Sequence, residues 1–79
     1  MEGVLLKNSD GEYVKTIDTA NGKLEFTKNP NEAKNYNGMM GGADWSSNNE
    51  KEFLIFHFKD EYQDKVTTLK STYEEWYGE

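Results

Sequence analysis

Apolar and polar positions alternate from the start of the chain, and clusters of turn-forming residues interrupt the alternation. Val4-Leu5-Leu6 reads as a short strand, Asn8-Ser9-Asp10-Gly11 as a turn, and Tyr13 to Ile17 as the returning strand. Asp-Gly readily supplies the positive φ that a tight hairpin needs. Asn21-Gly22 marks a second hairpin. A two-residue loop there pairs Thr19 with Leu24 and Ile17 with Phe26, which sets Ile17, Leu24 and Phe26 on one face. Residues 1–27 are therefore predicted to form a three-stranded meander.

The period then changes. Asn29 can cap a short helix over residues 29–36, with Pro30 at its first position and Glu32 completing a capping box. Residues 37–50 follow neither period and predict a long loop, a kind of segment often used for function. In Glu52 to Phe58, Phe53, Ile55 and His57 alternate with Leu54, Phe56 and Phe58. This predicts a strand over 52–58 that is covered on both faces. Tyr62, Val66, Leu69, Tyr73 and Trp76 recur at spacings of 4, 3, 4 and 3. They predict a C-terminal helix over 60–77 with one apolar stripe, in which Leu69 is buried. Asp60 suits its N-cap, and Gly78 suits its end. The expected fold is one α+β domain of order βββαβα, with an antiparallel-rich sheet and the long helix packed on one face.

With 79 residues the chain has room for one small core. It contains no cysteine, which excludes disulfides and thiolate chemistry. Only 34% of the residues are apolar and 14% aromatic, so the core depends on a few large rings. A core this small leaves open its completion across a homodimer interface. No apolar run has the length of a membrane span or the form of a signal peptide, so a cytoplasmic protein without membrane association is expected.

The net charge is −6, and all nine basic residues are lysines. Residues 1–49 carry seven acids and five lysines, while residues 50–79 carry eight acids and four lysines. The acidic excess therefore lies toward the C-terminus. Its sign and the lack of arginine argue against direct binding of nucleic acid.

Little in the sequence points to catalysis. The single histidine, His57, lies among aromatic residues and has no evident partner. One histidine and no cysteine make no transition-metal set, and Asp60, Glu61 and Asp64 lack the calcium-loop pattern. Gly38-Met39-Met40-Gly41-Gly42 lacks the Lys-Ser/Thr that a phosphate loop requires. No cofactor, no metal and no enzymatic activity are expected.

Two segments point to binding instead. Met39, Met40 and Trp45 are adaptable, energetic contact residues in the glycine-containing loop, and they serve either as a partner surface or as a lid on the core. Glu74, Glu75, Tyr77 and Glu79 place acids and an aromatic ring at the end of the predicted helix. There the acids oppose the helix dipole, and a basic partner or a frayed end would account for them.

Gly11-Glu12-Tyr13-Val14-Lys15 and Phe26 to Tyr36 resemble the openings of small orphan proteins from phages of low-GC Gram-positive bacteria. Many of those proteins are acidic inhibitors of host machinery, including anti-CRISPR proteins. The resemblance implies a phage or mobile-element inhibitor whose partner is a host defence protein, one that itself binds nucleic acid in the version where an acidic surface occupies that site. It transfers no functional residue. Two further readings stand beside it: a small-ligand or nucleotide-signal sponge that stacks a base on Trp45, and a structural subunit.

Overall fold

The computed structural model describes residues Met1–Gly78. Four strands form one antiparallel sheet: β1 (Glu2–Lys7), β2 (Tyr13–Asp18), β3 (Lys23–Thr27) and β4 (Lys70–Glu75), in the order β3-β2-β1-β4. A single 3-10 turn follows β3 at Pro30–Glu32, and the helices are α1 (Ala43–Phe58) and α2 (Gln63–Thr67). The chain is a small α+β domain, and its N-terminal meander is present.

The meander differs from the expected one in detail. Ile17 pairs with Leu24 and Asp18 with Lys23, so the second hairpin closes over four residues rather than two. Moving the register by two leaves Ile17 and Leu24 on the same face. A bulge between Val14 and Thr16 lets Val14, which pairs with Phe26, share that face as well.

β1 and β2 pair at their hairpin end, Lys7 against Tyr13. Beyond that rung, residues 34–36 are wedged between the two strands. The Lys34 amide donates to the Val14 carbonyl at 2.9 Å, and the Tyr36 amide donates to the Val4 carbonyl at 2.8 Å. The Asn35 side chain accepts from the Val4 amide at 3.2 Å. Gly3 makes room for it, since a Cβ there would lie 2.3 Å from the Asn35 amide group.

Three expected elements are corrected. The helix over 29–36 is one 3-10 turn. Asn29 does cap it, accepting from the Asn31 amide, but Glu32 takes the Thr27 hydroxyl instead of completing a capping box. Residues 52–58 are not a strand: they form the second half of α1, whose first half takes up most of the expected loop. The chain enters α1 through Gly41 and Gly42 at φ 87 and 96, a conformation costly for residues with a side chain. Residues 60–77 do not form one long helix. Helical geometry lasts from Gln63 to Thr67, and β4 then pairs with all of β1, from Lys7 against Lys70 to Glu2 against Glu75. The backbones of Met1 and Trp76 extend this ladder with two reciprocal bonds of 2.8 Å.

The core lies between α1 and one sheet face. Leu54 and Phe58 of α1 meet Leu6, Val14 and Leu24 of the sheet, with Val66 and Leu69 closing one end. Leu69 is buried as expected, from the turn after α2 rather than from a long helix. Tyr62 joins the layers by accepting the Leu24 amide on its hydroxyl, with its ring edge-on to Phe58 at 5.7 Å. On the opposite sheet face Leu5 is also fully buried. Tyr13 reaches across β1 there, its hydroxyl donating to Glu74 at 2.9 Å.

Candidate functional site

Helix α1 has two unlike faces. Ser47, Leu54 and Phe58 turn to the core. The buried Ser47 hydroxyl bonds that of Ser71 on β4, which fixes how the helix sits on the sheet. Trp45, Asn49, Glu52 and Phe56 recur at spacings of 4, 3 and 4 and point the other way, so one stripe runs along the solvent side.

Two of its four members are aromatic, where a solvent-facing stripe is ordinarily polar. Trp45 is 64% exposed, Phe56 83% and Phe53, at its flank, 41%. The His57 ring fills the space between the two phenylalanines, with centroids 4.1 Å from Phe53 and 5.1 Å from Phe56. The asparagines beside the rings turn back onto their own helix. Asn48 donates to the Asp44 carbonyl at 2.8 Å, and Asn49 to the Trp45 carbonyl at 3.0 Å.

At the N-terminal end a shallow groove separates α1 from the wedge segment. Tyr36, Met39, Trp45, Asn49, Glu50 and Phe53 are among its walls. The Trp45 ring lies over Gly41, where a Cβ would come within 2.9 Å of it. In the groove wall, Glu50 accepts the Tyr36 hydroxyl and pairs with Lys34 at 2.8 Å. Burial pushes the Tyr36 hydroxyl well above its ordinary range, and the bond to the Glu50 carboxylate adds to the shift. The groove wall is therefore braced by a neutral phenol and an ion pair.

The expected binding residues separate in space. Met39 and Trp45 come together in the groove, whereas Met40 stands clear at 94% exposure. Trp45 is thus no lid on the core. Glu74, Glu75 and Tyr77 line no part of the groove. Glu74 is held by Tyr13, Glu75 faces Glu2 across the ladder, and Tyr77 is exposed beyond β4. Glu74 and Glu75 lie in a strand, so no helix dipole opposes them. Glu79 lies outside the described residues. Sequence reasoning missed Phe53 and Phe56 as surface residues. Their helical spacing from Trp45 was the available signal, masked by the equally good alternation of residues 53–58.

Among the described residues, no group of three His, Asp or Glu side chains could hold a metal ion. No helix among them is long and apolar enough to cross a membrane. Comparison with protein-family models, curated proteins and solved structures returns no match.

Proposed function

We propose that this domain is a non-enzymatic binding protein that docks on another protein through the outward face of α1. One observation carries the reading: Trp45, Phe53 and Phe56 stand on a single helix surface turned away from the core. A chain with two tryptophans and four phenylalanines gains most by burying them. Exposed rings gathered on one helix face are a mark of an interaction surface, and such anchors carry most of the energy in interfaces.

The partner's chemistry follows from the surroundings of the stripe. Asp44, Glu52, Asp60 and Glu61 lie on α1 or just beyond it, against Lys51 and Lys59, within a chain of net charge −6. The matching surface is an apolar groove with a basic rim. The setting we propose is a phage or mobile-element inhibitor that covers the nucleic-acid site of a host defence protein. The resemblance of the hairpin and of residues 26–36 to phage proteins supports that setting, as does the acidic charge.

Affinity capture from host lysate tests the reading. The expected result is one stoichiometric protein held by the wild type, lost with Phe56→Glu and retained with Lys23→Glu on β3. Equal capture by both variants would exclude the α1 face.

A further inference from the structure

A like-charged pair sits on the sheet, and among the described residues neither member has an ion-pair partner. Lys7 of β1 and Lys70 of β4 are directly opposite in the ladder, an arrangement that weakens an antiparallel pair. Their register places them with Leu5 and Thr72 on the face turned away from α1. Among the described residues neither ammonium has an acidic group within ion-pair distance. The Lys7 ammonium rests 5.4 Å from the centroid of the Tyr13 ring. The nearby acids are engaged elsewhere: Asp10 and Glu12 both pair with Lys65, and Glu74 holds the Tyr13 hydroxyl.

Both lysines line one cleft, together with Ser9, Thr67, Thr68 and Thr72. Its volume is about 530 Å³, within the range of small-molecule sites. Among the described residues no acid lines it, although the chain carries fifteen. The walls are fixed before any ligand arrives. The Ser9 amide donates to the Thr68 hydroxyl oxygen at 3.0 Å, and that hydroxyl donates to the Asp64 carbonyl. Asn8, also on the cleft, is buried with its side-chain oxygen accepting the Asp10 and Glu12 amides. The Thr67 and Thr72 hydroxyls donate to backbone carbonyls. Side-chain donors left for a ligand include the two ammoniums and the Ser9 hydroxyl.

We propose that this cleft binds a small phosphate-bearing anion, with the phosphate between Lys7 and Lys70 and the Ser9 hydroxyl as a third donor. A lysine ammonium binds phosphate as a point charge, so the absence of arginine is no obstacle. The site is independent of the α1 face. A bound phosphate relieves the repulsion between the two lysines, which links binding to stability.

Thermal unfolding in inorganic phosphate, against chloride at matched ionic strength, tests the proposal. The expected result is a saturable rise in the wild-type Tm that phosphate produces and chloride does not. Lys70→Gln and Lys7→Gln each raise the Tm without phosphate and abolish the phosphate-dependent rise. Amide NMR shifts on phosphate titration centre on Ser9, Thr68, Lys70 and Thr72. An equal rise in chloride, or a phosphate-dependent rise undiminished in both variants, would overturn it.

Discussion

The Tyr36 hydroxyl donates to the Glu50 carboxylate, and this bond ties the segment wedged between β1 and β2 to the middle of α1. Tyr36 is almost fully buried and Lys34 pairs with the same carboxylate. Tyr36→Phe keeps the ring but removes the donor, and is expected to cost about 1.5–3 kcal/mol, the range for a hydrogen bond to a charged group. Urea unfolding measures it. The folded pKa is raised, so the tyrosine's contribution is full below the ordinary value of 10.0 and is lost as pH rises above it. The wild type therefore loses more stability than Tyr36→Phe between neutral pH and strongly alkaline pH.

Gly3 and Asn35 form the other side of that wedge. A Cβ at position 3 collides with the Asn35 amide group, which bonds the Val4 and Asn37 amides. Gly3→Ala is expected to lower stability by about 1–3 kcal/mol, as overpacking does. A double-mutant cycle with Asn35→Ala checks the cause. The two losses are expected to be clearly less than additive, because each removes the same arrangement.

Glu12 and Lys65 give the hairpin a pH dependence at both ends. The hydrogen bond from Lys65 holds the Glu12 carboxyl below its usual value of 4.5, and the bond to Glu12 raises Lys65 above 10.5. Stability from Glu12 is present above its ordinary pKa and is lost as pH falls through the lowered one. Stability from Lys65 is present below its ordinary pKa and is lost as pH rises through the raised one. Glu12→Gln is expected to flatten the acid limb of a Tm–pH curve, and Lys65→Met to remove the pair's share of both limbs.

Leu54 is fully buried where α1 meets the sheet. Leu54→Ala is expected to cost about 2–5 kcal/mol, as for other buried leucines. Phe56→Ala, only two residues away but on the outer face, is expected to change stability by less than about 0.5 kcal/mol. Paired denaturation curves separate the two, and equal losses would contradict the assigned helix faces.

The N-terminal meander was legible because its turns, Asp10-Gly11 and Asn21-Gly22, and its one-sided alternation agree with each other. Asn29 was legible as a cap for the same local reason. The segment 53–58 misled because α1 carries large rings on both its core side and its solvent side. Leu54 and Phe58 face in while Phe53 and Phe56 face out, and a two-sided strand shows the same composition. Ser46, Ser47, Asn48 and Asn49, weak helix formers, hid the first half of the helix. The C-terminal stripe was correct as far as Leu69. Tyr62, Val66 and Leu69 do face inward, but the free edge of β1 captures the next six residues as β4. The β-branched Thr72 and the aromatic Tyr73 favour that outcome, which depends on a partner strand 63 or more residues earlier in the chain. The half of the candidate site built on Met39 and Trp45 was readable from residue type. The other half, Phe53 and Phe56, needed the helix.

Trp45 and Phe56 stand about three turns apart on the outward face of α1, and their role as docking anchors is tested most directly by site-specific photocross-linking. Benzoylphenylalanine is placed at position 45, at position 56 and, as a control, at the exposed Lys23 on β3. Each form is then irradiated in host lysate. The expected result is a cross-link to the same single protein from positions 45 and 56 and none from position 23. Cross-links of equal yield from position 23, or from neither 45 nor 56 while the protein still captures its partner, would contradict the assignment of α1 as the docking surface.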